Sequence, residues 1–205
     1  MSSEKTNGEG KGGIGGFVRR FVLTPRFSAF AVVVALGVGV IVGVPTVEGV
    51  DRYLSSDAFC ASSCHFVEAT VTKELHQSSH WTRKSGVRAT CSDCHISENL
   101  LPAMWDHFVG MRDLYAFVFK GIRTVEDFEK VRFESANRVR LAMVAEGSKN
   151  CQKCHVMEAI KPERKRGQKQ HAEAIQEKTA CIACHYNLVH KEAKASEAFL
   201  RAIGE

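Results

Sequence analysis

Cysteine and histidine recur together along this chain in a way that few folds accommodate. All eight cysteines fall into four close pairs, and a histidine directly follows the second cysteine of every pair. Two residues separate the cysteines in three of the pairs, and three residues separate them in the first. The pairs are Cys60/Cys64 with His65, Cys91/Cys94 with His95, Cys151/Cys154 with His155, and Cys181/Cys184 with His185.

The pattern C-x-x-C-H is the signature of c-type haem attachment. Two thiols at that spacing form thioethers with the porphyrin, and the adjacent imidazole binds the iron. Thioredoxin-like motifs need a βαβ context that is absent here, and zinc sites pair histidines three to five residues apart. A disulfide framework explains the thiols but not the four histidines. The sequence therefore predicts four covalently bound haem c groups.

The first motif is irregular because of its extra residue. One interpretation is a longer loop that still attaches haem in the usual way. The alternative is a haem with altered axial ligation.

The motif histidines repeat with a fixed spacing. His65 and His95 are 30 residues apart, as are His155 and His185. This predicts two dihaem modules related by duplication, with His80 and His171 near their midpoints. Low-spin haem iron takes two axial ligands, so these two histidines are predicted distal ligands. The remaining histidines are His190, which ranks third because it follows His185 closely, and His76 and His107, which rank lower because neither has a counterpart in the other module.

A membrane anchor is predicted near the N-terminus. Residues 27–47 carry no charge, and at 1.5 Å per residue they span about 31 Å, enough for a bilayer core. A cleaved signal peptide would have a shorter apolar region and a small-residue cleavage site. Basic residues predominate before the span, so the positive-inside rule keeps the N-terminus cytoplasmic. We expect a cytoplasmic tail at 1–26, a transmembrane anchor at 27–47 and a periplasmic haem domain at 48–205, in the inner membrane.

Outside the motifs the pattern indicates a mainly α fold with much irregular structure. Thr124 and Asp127 have the spacing of a capping box, and apolar residues continue with helical spacing to Gly147. A second helix is predicted over 104–118, where aromatic residues are expected to pack against porphyrin or lipid headgroups. Four haems would form most of the core of so small a domain.

The net charge of +5 does not indicate nucleic-acid binding. The basic residues form no stripe with interleaved aromatics, and haem propionates would offset them.

These residues resemble the NapC/NirT/NrfH family of membrane-anchored tetrahaem c-type cytochromes. The specific segments are Ser85-Gly-Val-Arg-Ala-Thr-Cys91, the stretch 121–132, and the ending 181–190. The resemblance implies electron transfer between membrane quinol and a periplasmic redox protein. It most directly implies a quinol dehydrogenase that feeds a terminal reductase of anaerobic respiration of the nitrate or nitrite type. It also implies His80, His171 and His190 as distal ligands.

The chain departs from the family near the first haem. Phe66-Val67-Glu68 follows His65, without the methionine that family members often carry there, and no lysine lies between His95 and Lys120. Asp106 or Asp113 is then a weaker expectation for the group that accepts the quinol proton. Two alternatives stay open: a quinone reductase running in the opposite direction, as in ammonia oxidisers, and a plain carrier between two proteins. The sequence leaves the soluble partner and any homo-oligomer undecided.

Overall fold

The computed structural model describes residues 25–62 and 65–204, with side chains described from Ser28 onward and that of His65 left out. Cys64 and most of the predicted cytoplasmic tail lie outside the described residues. The chain divides into two compact units, which are taken separately below: one up to Gly49 and one from Val50 to the C-terminus.

The first unit contains most of a long apolar helix. Helix α1 spans Pro25–Leu54 and includes Pro45. Its stretch Ser28–Leu54 contains an 18-residue window with mean hydropathy 2.5, and among the described helices this is the one long and apolar enough to cross a membrane. The helix continues past the charge-free residues 27–47, because Glu48, Asp51 and Arg52 still lie on its last turns.

The second unit is built from helices joined by short irregular segments. Among the described residues no strand occurs, which confirms a mainly α fold. The helices are α2 Asp57–Ser62, α3 His65–Val67, a π-helical turn Glu68–Thr72, α4 Lys73–Gln77, α5 Ser79–Thr82, α6 Cys91–His95, α7 Leu100–Phe119, α8 Val125–Ala145, α9 Lys149–Gln152, a 3₁₀ turn Met157–Ala159, α10 Lys165–Glu177, α11 Cys181–Cys184 and α12 Glu197–Ala202.

Helix α8 begins at the predicted capping box. The Thr124 hydroxyl accepts a hydrogen bond from the Asp127 backbone, and the Asp127 carboxylate accepts one from the Thr124 backbone. The helix ends at Ala145, two residues before Gly147, whose φ of +63° is the left-handed conformation that glycine adopts readily.

Side chains bury little apolar surface in the described part of the chain. The buried apolar residues there are Leu75, Ala103, Ala193 and Phe199. Phe199 packs on Tyr186, with ring centroids 5.4 Å apart.

Candidate haem-binding sites

Short helices present the second and fourth haem-attachment motifs. At the second motif, Thr90 and Asp93 form a capping box that starts α6. Cys91, Cys94 and His95 then lie on little more than one helical turn. Helix α11 presents the fourth motif in the same way, from Cys181 to Cys184.

The third motif runs past the end of its helix. Helix α9 ends at Gln152, so Cys154 and His155 lie in the segment that follows it. Their backbone N–H groups both donate to the Cys151 carbonyl, at 3.3 Å from Cys154 and 3.0 Å from His155. These two bonds complete a single turn, so the motif keeps a compact shape without a longer helix.

The predicted attachment cysteines differ in their exposure. Cys154 and Cys184, the second cysteines of the third and fourth motifs, have exposed side chains, whereas the other described motif cysteines are partly buried. Protein atoms therefore do not enclose the thiol of Cys154. The motif alone does not predict this exposure. Attachment of haem by Cys154 stays a prediction.

Cys154 nevertheless lies close to another motif. Burial, followed by the nearby Asp93 and Cys154, raises the pKa of the Cys94 thiol. The second cysteines of the second and third motifs are therefore neighbours.

The first and second motifs are in contact. A hydrogen bond from the Cys91 thiol lowers the pKa of Cys60 to about 7 and raises that of Cys91. The Cys91 backbone also donates to Oδ1 of Asp57 at 2.8 Å.

The third and fourth motifs meet in an equivalent way. Burial, together with nearby thiols including Cys181, raises the pKa of Cys151 to about 11. The Ile182 backbone donates to Oγ of Ser148 at 3.1 Å, and this bond spans 34 residues, as does the bond from Cys91 to Asp57. Ser148 and Asp57 both lie three residues before the first cysteine of their motif. Similar bonds therefore tie the two motifs of each half together, although the donor is the first cysteine in one half and the residue after it in the other.

Two bonds join the halves between the second and third motifs. Nδ2 of Asn150 donates to the Cys94 carbonyl at 3.1 Å, and Nζ of Lys153 donates to the Ile96 carbonyl at 3.0 Å. The motifs therefore contact one another in chain order, from the first to the fourth.

Three motif histidines each face a histidine from outside the motifs. The ring centroids are 6.3 Å apart for His95 and His190, 6.2 Å for His80 and His155, and 6.0 Å for His171 and His185. The three non-motif histidines are those that the resemblance implies as distal ligands.

The spacing of these pairs fits one iron each. A metal–imidazole bond is about 2 Å long, and each ring centroid lies roughly 1 Å behind its nitrogen. Two imidazoles on one iron therefore have centroids roughly 6 Å apart. The residues present thus fit haem iron with two histidine ligands at three of the four motifs.

The local surroundings also suit metal-binding imidazoles. Nδ1 of His171 lies 2.8 Å from the Gly167 carbonyl, a bond that directs its other nitrogen away. A Cβ on residue 167 would come within 2.9 Å of the Pro162 side chain, so glycine at this position lets the helix backbone pack closely against Pro162. Burial, His155 and Arg83 lower the pKa of His80, which favours the neutral ring that a metal requires.

The lower-ranked histidines have other neighbours. His76 packs on Trp81 with ring centroids 4.0 Å apart. Nε2 of His107 lies 3.3 Å from Oδ1 of Asp51 and 3.2 Å from Oγ of Ser55.

The two aspartates expected to accept a quinol proton already have partners. Asp106 accepts a hydrogen bond from the Ser97 backbone at 2.7 Å, and Asp113 pairs with Arg138 at 3.0 Å. Sequence reasoning missed the cluster of Asp51, Ser55 and His107 and the carboxylate of Glu74 near His190. A single acidic residue has no sequence pattern that predicts its contacts. The capping box at Thr90 and Asp93 could have been predicted, because it has the recognisable spacing T-x-x-D.

A helical fold, four Cys–Cys–His motifs and three facing histidine pairs define a multihaem c-type cytochrome. The chain matches the model of the NapC/NirT cytochrome c family, N-terminal region, over residues 24–195. It therefore belongs to the NapC/NirT cytochrome c family, which confirms the resemblance. Together with α1, this makes it a single-pass membrane cytochrome of electron transport that binds haem c.

Curated relatives agree with this assignment. The chain is 31% identical to the denitrification system component NirT of Stutzerimonas stutzeri, over 93% of this chain and 94% of that protein. It is 33% identical to the cytochrome c-type protein NapC of Escherichia coli K12, over 67% of this chain and 69% of that protein. It is 36% identical to a probable tetraheme cytochrome c-type protein of Nitrosomonas europaea, over 74% and 65%. No solved structure matches the chain significantly.

Proposed function

We propose that this protein is a tetrahaem cytochrome that transfers electrons between the membrane quinone pool and a periplasmic redox protein. Its main role is that of a quinol dehydrogenase feeding a terminal reductase of nitrate or nitrite type. The observation that carries the proposal is the set of three facing histidine pairs on motifs that contact one another in chain order. The name of the relative NirT, a denitrification system component, supports the respiratory role.

The haem ligands are assigned motif by motif. The second, third and fourth haems take His95 with His190, His155 with His80, and His185 with His171. The first haem takes His65, with Cys60 and Cys64 as its attachment cysteines. When bound, each haem iron supplies one-electron transfer between its ferric and ferrous states.

The contacts between motifs support a single linear path. Cys60 meets Cys91, Asn150 meets the backbone of Cys94, and Cys151 meets Cys181. The path therefore begins at the first motif and ends at the fourth, whose side would face the soluble redox protein.

The quinone end is proposed beside the first motif. Cys60 Sγ lies 3.9 Å from the carbonyl of Leu54, the last residue of α1. The next residue, Ser55, contacts His107. The exposed apolar side chains Met104 and Phe108 flank His107 on α7. We propose His107 as the hydrogen-bond partner of the quinol hydroxyl, because exposed apolar side chains lie next to it on α7 and its Nε2 lies 3.3 Å from Oδ1 of Asp51.

The topology follows from the charge asymmetry. Residues 1–26 would lie in the cytoplasm, residues 27–47 in the inner membrane and residues 48–205 in the periplasm.

The test is electron exchange with quinones. The haem-loaded protein in lipid nanodiscs is mixed with decylubiquinol when oxidised, and with decylubiquinone when reduced, while the haem spectrum is followed. A quinol dehydrogenase is reduced by the quinol. Reoxidation by the quinone alone would instead support the reverse direction, for which the irregular first motif is the motivating observation. Exchange with neither would leave a protein-to-protein carrier and contradict the proposal.

His107→Gln tests the quinone end. We expect haem reduction by decylubiquinol to slow at least tenfold, whereas reduction by dithionite stays unchanged. Asp113→Asn is the matched control, because it changes a carboxylate of the same helix that pairs with Arg138. Equal slowing in both variants would contradict the assignment of His107.

A further inference from the structure

Glu74 lies beside one of the proposed distal ligands. Its Oε2 is 3.5 Å from Nδ1 of His190, and its side chain is 18% exposed. The same oxygen accepts a hydrogen bond from the Lys191 backbone at 3.0 Å. The carboxylate is therefore held against the segment that carries His190.

A buried arginine fixes the position of this carboxylate. Arg132 donates to both oxygens of Glu74, at 2.7 and 3.1 Å. It also donates to both oxygens of Glu129, at 2.8 and 3.0 Å. Nζ of Lys191 contacts Glu129 at 3.0 Å. Two carboxylates and two cations thus form one network, and of the two carboxylates Glu74 is the one that contacts His190.

The three distal histidines differ in what faces their second nitrogen. Nδ1 of His190 faces the Glu74 carboxylate, and Nδ1 of His171 bonds the neutral Gly167 carbonyl. Nδ1 of His80 and Nδ1 of His190 are both buried without a hydrogen-bond partner in the described part of the chain, so these two ligands differ in the charges nearby. Arg83 adds positive charge near His80, whereas His190 has both the Glu74 carboxylate and the Arg132 guanidinium nearby.

These neighbours affect an iron through its imidazole ligand. An acceptor at the second nitrogen fixes the tautomer and raises the basicity of the ring. A carboxylate does so more strongly than a carbonyl because it carries a full negative charge. A more basic ligand and a nearby negative charge both stabilise the ferric state, which lowers the midpoint potential.

We propose that Glu74 is a positioning residue that keeps a negative charge beside His190 and lowers the midpoint potential of the haem shared by His95 and His190. This inference rests on the proposed haem ligation.

The test compares two variants that remove the same charge from the same network. Glu74→Gln and Glu129→Gln each leave Arg132 with one carboxylate, but only Glu74→Gln changes the neighbour of His190. Each haem-loaded variant is titrated with a redox mediator set while optical and electron paramagnetic resonance spectra are recorded. The spectral change in His190→Ala identifies the haem concerned.

We expect Glu74→Gln to raise the midpoint potential of that haem and to leave those of the other haems unchanged. Glu129→Gln should raise it clearly less. Glu74→Asp keeps the charge for Arg132 but withdraws it from His190, so it should give an intermediate upward shift. Glu74→Asp also provides the test if the Glu74→Gln protein assembles poorly with haem.

Two outcomes would overturn the inference. Equal shifts of the midpoint potential in Glu74→Gln and Glu129→Gln would show that Glu74 acts only through the overall charge of the network and not through His190. No shift in either Glu74 variant would mean that other groups, such as the Val71 backbone, hold the imidazole. The proposed ligation fails separately, if His190→Ala leaves all low-spin haem signals intact.

Discussion

The relative orientation of paired imidazoles differs among the three histidine pairs. The planes are 78° apart for His80 and His155, but 25° apart for His95 and His190 and 35° apart for His171 and His185. Each imidazole raises the iron d orbital perpendicular to its plane. Near-parallel rings therefore raise one orbital and split the pair, whereas near-perpendicular rings raise both equally.

Electron paramagnetic resonance of the oxidised protein should report this difference. We expect one strongly anisotropic low-spin signal from the His80/His155 haem and two rhombic low-spin signals from the other pairs. His80→Ala should remove the anisotropic signal and give a high-spin haem, while His76→Ala should change nothing because His76 packs on Trp81. Three rhombic signals in the unmodified protein would contradict the observed orientations.

The sequence predicted which histidines are candidate ligands better than it predicted which residues contact them. The repeat predicted His80 and His171 as distal ligands, because duplicated modules place equivalent residues at equivalent spacing. The spacing could not predict that His80 faces His155 and His190 faces His95. The spacing indicates which histidines lie outside the motifs and are available as distal ligands. Which motif histidine each of them faces depends on how the two halves of the haem domain pack together. Glu74 was unpredictable for the same reason, since its contact with His190 spans more than a hundred residues.

At the scale of elements, the two long helices of the haem domain were predictable and the short ones were not. The predicted helix over 104–118 is observed as Leu100–Phe119, and the helix after Thr124 as Val125–Ala145. Helices such as α9 and α11 have four residues each. That length is too short to show a hydrophobic period, and too short to be stable without tertiary contacts.

The capping box of α8 should contribute measurably to stability. Thr124→Ala removes the hydroxyl that accepts from the Asp127 backbone, and the loss of an N-cap costs about 1 kcal/mol of unfolding free energy. Guanidinium denaturation of the haem-loaded protein, followed by far-ultraviolet circular dichroism, measures the change. Thr124→Ser keeps the hydroxyl and should retain most of the stability. An unchanged midpoint in Thr124→Ala would show that the cap is dispensable in this context.

At the scale of the molecule, the repeat and the packing differ. Duplication predicted two dihaem modules, but residues from Val50 onward form one compact unit. Two of the three histidine pairs join residues from different halves: His80 with His155, and His95 with His190. Only His171 and His185 pair within one half. Under the proposed ligation, neither half supplies both ligands for all of its own haems, so the halves depend on each other for stability.

This interlocking predicts an unequal loss of stability when distal ligands are removed. An iron bond from His80 to the haem on His155 closes a loop of 75 residues, whereas the bond from His171 closes a loop of 14 residues. Loop-closure entropy scales as (3/2)RT ln n, so the longer loop constrains the unfolded chain by about 1.5 kcal/mol more. His80→Ala should therefore lower the unfolding free energy by about that much more than His171→Ala, if both iron bonds persist in the unfolded chain and are of similar strength. Guanidinium denaturation of the haem-loaded variants measures this difference, with His76→Ala as the control. The covalent thioethers keep every haem attached, so the comparison isolates the ligand bond. A loss in His171→Ala that equals or exceeds the loss in His80→Ala would contradict ligation across the halves.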